Sequence, residues 1–84
     1  MKTIQDLINR IRWDKEYAQA DFTIGYYDRV EQKLILVPFR ELYFDGDDHF
    51  GFQILDDEGV THSIPLHRVK ALYKNGKLIW HRDT

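Results

Sequence analysis

The apolar residues of this chain change their spacing once. Ile4, Leu7, Ile8 and Ile11 recur at helical intervals, whereas from residue 22 onward the long apolar segments alternate or run together as strands do. One amphipathic helix cannot bury its own stripe, so it has to share a core with the strands that follow. The expected class is therefore α+β: an N-terminal helix packed on a curled, mostly antiparallel sheet of five or six strands. The chain is 84 residues long, the length of one domain, residues 1–84.

The start of the helix is marked by Thr3-x-x-Asp6, a capping-box pattern. Its end is set by Trp13, which lies almost opposite Ile4 and Ile11 at about 100° per residue. Either the helix stops near Arg12 or Trp13 faces away from the core. The polar residues 14–21 read as a connection. In the strand expected at 22–30, one face carries Phe22, Ile24, Tyr26, Asp28 and Val30, and the other carries Thr23, Gly25, Tyr27 and Arg29. The apolar face is the inner one, which leaves Asp28 in need of a partner. Residues 33–39 are apolar on both faces, as a central strand is.

Two hairpins follow. Phe50, Phe52 and Ile54 alternate toward a turn at 56–59, and Val60, His62 and Ile64 alternate on the return. The second hairpin spans 71–80 around Asn75-Gly76, a pair suited to a turn with two positive φ angles. The acidic loop 45–48 is expected to be mobile. "LVPFREL" (36–42) and "SIPLHRV" (63–69) echo each other, each with a proline that ends a strand and opens a short turn or helical segment. The echo points to a sharply bent sheet or a partly closed barrel.

Composition removes several functions. There is no cysteine, so disulfides, thiolate metal sites and cysteine nucleophiles are excluded. His49, His62, His67 and His81 have no compact ligand spacing, and no glycine-rich phosphate loop is present, so neither metal nor cofactor is expected. No apolar run reaches bilayer length and the N-terminus has no signal-like core, so the cytoplasm is the expected location and no membrane partner is expected. A net charge of −2 argues against broad nucleic-acid binding, which rests on many phosphate contacts. A local anion site is still allowed, because arginine occupies positions 10, 12, 29, 40, 68 and 82.

Four motifs stand in order: "RIRWD" (10–14), "IGYYDR" (24–29), "VPFREL" (37–42) and "IPLHRV" with a trailing "IWHR" (64–69 and 79–82). Together they resemble the RNA cyclic-group-end recognition family, and the resemblance runs from about Leu7 to Arg82. It implies a small α+β domain that binds RNA 3′ ends bearing a 2′,3′-cyclic phosphate or related group, as an accessory to RNA processing or repair. RNA-processing enzymes are its implied partners. The matching polar positions are Tyr26, Asp28, Arg29, His67, Arg68 and Arg82, with Trp13 and Trp80 as aromatic companions. Asp45, Asp47 and Asp48 depart from the pattern, and an acidic loop of this kind is expected to point away from bound RNA.

On this reading Arg29, His67, Arg68 and Arg82 bind phosphate and Asp28 orients them. A structural role for Asp28, pairing with an arginine or with backbone amides, is compatible with that. Tyr26, Tyr27, Trp13 and Trp80 are candidates for base stacking. Core packing is the ordinary explanation for Tyr26 and Trp80, which alternate with apolar neighbours. Catalysis is not expected. Two-histidine phosphoesterases need a pair of His-x-Ser/Thr motifs and none occurs here, which leaves His62 with His67 as the one imitation of an acid–base pair. The rival reading is a protein-interaction or structural module with an aromatic and arginine patch. Convergence of Arg29, Arg68 and Arg82 in one concave site would favour RNA. Separate carboxylate pairs on a flat face would favour the rival.

Overall fold

The computed structural model describes residues 3–44 and 51–82, and both the acidic loop 45–48 and His49 lie outside the described residues. Helix α1 spans Ile4–Trp13. Its capping box forms as expected: the Asp6 amide donates to Thr3 Oγ1 at 3.2 Å, and the Thr3 amide to Asp6 Oδ2 at 3.5 Å. Ile4, Leu7, Ile8 and Ile11 are all buried. The helix runs through Trp13, which is 74% exposed and so faces away from the core. A short 3₁₀ turn, Tyr17–Gln19, occupies the polar connection.

Six strands follow: β1 Phe22–Asp28, β2 Lys33–Pro38, β3 Gly51–Leu55, β4 Thr61–Pro65, β5 Val69–Lys74 and β6 Lys77–His81. Both prolines end a strand and open a 3₁₀ turn, Phe39–Glu41 and Leu66–Arg68. The strands form an antiparallel four-stranded sheet in the order β2-β1-β5-β6 and a separate β3-β4 hairpin. The sheet bends without closing, so no barrel forms. Its register shifts between Gly25 and Tyr26 against β5, and between Leu72 and Tyr73 against β6. Each extra residue increases the local twist. The Asn75-Gly76 turn has φ of +52° and +82°, as its sequence requires.

Two expectations are corrected. Residues 33–39 do not form a central strand: β2 pairs with β1 alone at the sheet edge. Its second apolar face, Leu34 and Leu36, lies over Gly25 on the outer side of the sheet. Val30 does not continue the inner face and is 92% exposed. The reason is local. Asp28 Oδ1 accepts from the amides of Val30 at 2.8 Å and Glu31 at 3.4 Å, which turns the chain before another strand residue can pair.

The core joins α1 to the inner sheet face through Phe22, Ile24, Tyr26, Val69 and Leu72. The hairpin contributes Phe52 and Ile64, which are register partners. Phe52 meets Tyr26 edge-on at 6.3 Å between ring centroids. This contact seats the hairpin against the far end of β1 and leaves an opening beside it.

Candidate functional site

That opening is a cavity of about 430 Å³. Tyr26 and Asp28 enter from β1, Val30 and Glu31 from the turn after it, and Ile54, Asp56, His62, Ser63 and Ile64 from the hairpin. Arg68 enters from the 3₁₀ turn Leu66–Arg68. A 3₁₀ turn has three residues per revolution, so neighbouring side chains diverge by about 120°. His67 accordingly faces a different cleft, of about 360 Å³, lined by Thr3, Ile4, Gln5, Pro65, Leu66, His67 and Arg82.

The acids of the first cavity have partners. Asp28 is held by the two backbone amides described above. Glu31 pairs with Lys33 at 3.2 Å. Asp56 Oδ1 accepts from the amides of Glu58 and Val60, both at 2.9 Å, and Oδ2 meets His62 Nε2 at 2.8 Å. The His62 hydrogen bond, then the Val60 and Glu58 amides, hold the Asp56 carboxyl below the usual carboxylate range. Burial, followed by the nearby charges of Asp28 and Glu31, raises the Tyr26 hydroxyl pKa.

Arg68 is different. Its Nε is buried without a hydrogen-bond acceptor, and among the described residues it makes no ion pair. Buried donors are normally satisfied, so this guanidinium has bonding capacity to spare for an anion. The expectation that Asp28 would orient it takes a limited form: both line one cavity, but the hydrogen bonds of Asp28 go to the turn.

The other expected site residues are dispersed. In the second cleft Arg82 donates through Nη1 to the His67 carbonyl at 3.3 Å and lies 5.2 Å from the Trp80 ring centroid. Trp80 packs against the core opposite Leu72. Arg29 is exposed and lines neither opening. Tyr27 lies on the outer sheet face, 40% exposed. Trp13 stands at the far end of α1 with the Arg12 guanidinium 5.1 Å from its ring centroid. Arg29, Arg68 and Arg82 therefore do not converge, and Tyr26 is a buried wall residue at 4% exposure. Sequence reasoning did not assign Glu31, Asp56 and Ser63 to the site, and gave His62 only as half of an imitation pair. One signal was available: strand alternation puts His62 and Ile64 on the face that also carries Phe52 and Ile54.

A family model for the MJ1316 RNA cyclic group end recognition domain matches residues 1–82. The chain belongs to that family. It is 30% identical to a UPF0248 protein of Metallosphaera sedula, covering 98% of this chain and 95% of the relative. It is 32% identical to a UPF0248 protein of Saccharolobus solfataricus, covering 94% and 95%. With a UPF0248 protein of Saccharolobus islandicus the identity is 34%, covering 94% and 98%. No solved structure matches. The recognition-domain match includes β1, the hairpin and the 3₁₀ turn that together line the Arg68 cavity.

Proposed function

We propose that this domain binds RNA 3′ ends carrying a 2′,3′-cyclic phosphate or a related phosphate group, without catalysing a reaction on them. The observation that carries the reading is the contrast inside the first cavity. Each acid there has its own partner, whereas Arg68 Nε has no acceptor and Arg68 makes no ion pair among the described residues. Arginine suits this role because its planar fork matches two phosphate oxygens. Ser63 adds a hydroxyl that can donate to or accept from the terminal group. His67 and Arg82, in the neighbouring cleft, are assigned to the adjoining part of the strand. The accessory role in RNA processing or repair, alongside enzymes that create or consume such ends, belongs to the same reading.

The test is binding of short labelled RNAs of one sequence, ending in cyclic phosphate, linear phosphate or hydroxyl. Wild type is expected to favour the cyclic end. Arg68→Ala should weaken cyclic-end binding by about tenfold or more, the size expected when a charged hydrogen-bonding group is lost. Equal binding of all three ends, or an unaffected Arg68→Ala, would refute end recognition in this cavity. One observation favours the rival reading as a protein-interaction module. On the outer sheet face, Tyr27, Leu34, Leu36 and Leu78 are 40%, 45%, 57% and 44% exposed. If no RNA binds, that apolar face is the surface to probe for a protein partner.

A further inference from the structure

The cavity holding Arg68 is also lined by three acids, Asp28, Glu31 and Asp56. The backbone amides that bond Asp28 and Asp56 are neutral and cancel no charge, whereas Lys33, an exposed partner at 3.2 Å, offsets the charge of Glu31 in part. A sphere of 430 Å³ is about 9 Å across, comparable with the Debye length of about 8 Å at physiological salt, so any guest feels all three carboxylates. A site for an anion would be expected to avoid such neighbours. Their presence sets a limit on how much negative charge the guest can bring.

RNA 3′ ends differ in that respect. A 2′,3′-cyclic phosphate is a diester with one ionised oxygen and carries a charge of about −1, whereas a terminal monoester, with a second pKa near 6, carries about −1.5 to −2 at neutral pH. Repulsion scales with the charge of the guest, so the acids penalise the linear end more than the cyclic one. Resting on the end-recognition reading above, we infer that Asp28, Glu31 and Asp56 form a charge filter. Through it, Arg68 accepts a monoanionic phosphodiester and the cavity turns away a dianionic monoester. Arg68 supplies the attraction and the acids supply the discrimination by repelling the wrong partner.

The roles of these groups are separable. Glu31 is exposed and its ion pair with Lys33 joins near neighbours in one turn, so Glu31→Gln leaves the fold intact. Asp28→Asn keeps an oxygen to accept from the turn amides. The other titratable groups lining the cavity are His62 and Tyr26, so all ligands are compared at one fixed pH, 7.5.

Four RNAs of one sequence are needed: cyclic phosphate, linear 3′-phosphate, the methyl ester of the linear 3′-phosphate, and hydroxyl. The methyl ester is open-chained but monoanionic, which separates charge from ring shape. Wild type should bind the methyl ester nearly as well as the cyclic end, and the linear phosphate less well. In Glu31→Gln and in Asp28→Asn both phosphorylated ends should bind more tightly. The cyclic end should gain about 3-fold and the linear end about 10-fold, since each lost repulsion counts nearly twice for a dianion. The cyclic-to-linear ratio thus falls about 3-fold. An unchanged ratio in both variants, with binding still dependent on Arg68, overturns the charge filter and leaves end recognition standing. So does a methyl ester that binds as poorly as the linear phosphate, because ring shape is then what is read. Binding of none of the four RNAs overturns both.

Discussion

Asp56 shows how one side chain can serve both turn and cavity. It accepts from the Glu58 and Val60 amides within its own turn, and from His62 across the hairpin. These bonds favour the ionised form and lower its pKa from the ordinary 3.8. A carboxyl whose folded pKa is depressed contributes stability that is complete above its unfolded pKa. That stability is lost as pH falls through the folded value. Carbon-detected NMR titration should therefore place Asp56 below 3.8, and His62→Ala should bring it back toward 3.8 by removing the largest contribution. The protection of the Glu58 and Val60 amides against hydrogen exchange should fall as pH drops through the depressed Asp56 value, below 3.8, because the hairpin turn then loses its acceptor. An Asp56 titration unmoved by His62→Ala would show that the backbone amides alone set its acidity. At this same scale the motif order marked Arg68 as a phosphate-binding candidate, but no more so than Arg29, His67 or Arg82. That its Nε lacks an acceptor among the described residues depends on which neighbours the fold gives it.

At the scale of elements, two glycines look alike in the sequence and behave differently in the sheet. A Cβ on Gly51 would stand 2.6 Å from the Ile64 carbonyl oxygen, a backbone atom fixed by the β3-β4 ladder. A Cβ on Gly25 would stand 3.1 Å from Leu36 Cδ2, the end of a flexible side chain that is 57% exposed. Gly51→Ala should cost about 1–3 kcal/mol, as overpacking does, by prising β3 from β4. Gly25→Ala should change stability by less than about 1 kcal/mol, because Leu36 can swing aside and alanine stiffens the unfolded chain. Urea denaturation of the two variants checks the contrast; equal losses would mean that the outer leucines are as immobile as backbone. Because the β3-β4 hairpin carries Ile54, Asp56, His62, Ser63 and Ile64, Gly51→Ala should also weaken binding in the Arg68 cavity, whereas Gly25→Ala should not. The second hairpin shows what a motif leaves out. Asn75-Gly76 announced its turn, but not that Asn75 ties that turn to the start of β1. The Asp21 amide donates to Asn75 Oδ1 at 2.9 Å, and the Asn75 amide donates to the Asp21 carbonyl at 2.7 Å.

For the whole molecule, net charge bears on how binding responds to salt. A net charge of −2 argues against the release of many counterions on binding. If one Arg68 contact and at most one Arg82 contact reach phosphates, log K against log salt should slope at about −0.7 to −1.4 for single-stranded RNA. A slope several times steeper, measured by titration between low and physiological salt, would mean extended backbone tracking instead of an end pocket. The helix, its capping box, both hairpins, the proline-ended strands and the α+β class were all readable from the sequence. Each depends on residues close along the chain: a 3.6-residue period, a Thr-x-x-Asp spacing, an alternation, a turn dipeptide. The ordered motifs also pointed to the family, because motif order is itself a property of sequence. Strand order, the edge position of β2, the failure of the sheet to close, and the divergence of His67 from Arg68 were decided only in three dimensions. So was the company Arg68 keeps, with Asp28 and Asp56 separated from it in sequence but lining the same cavity. The physical reason is that local pattern determines which elements form and which faces are apolar, while the packing of Phe52 against Tyr26 determines which faces meet. Whether an arginine ends up paired or free depends on that meeting.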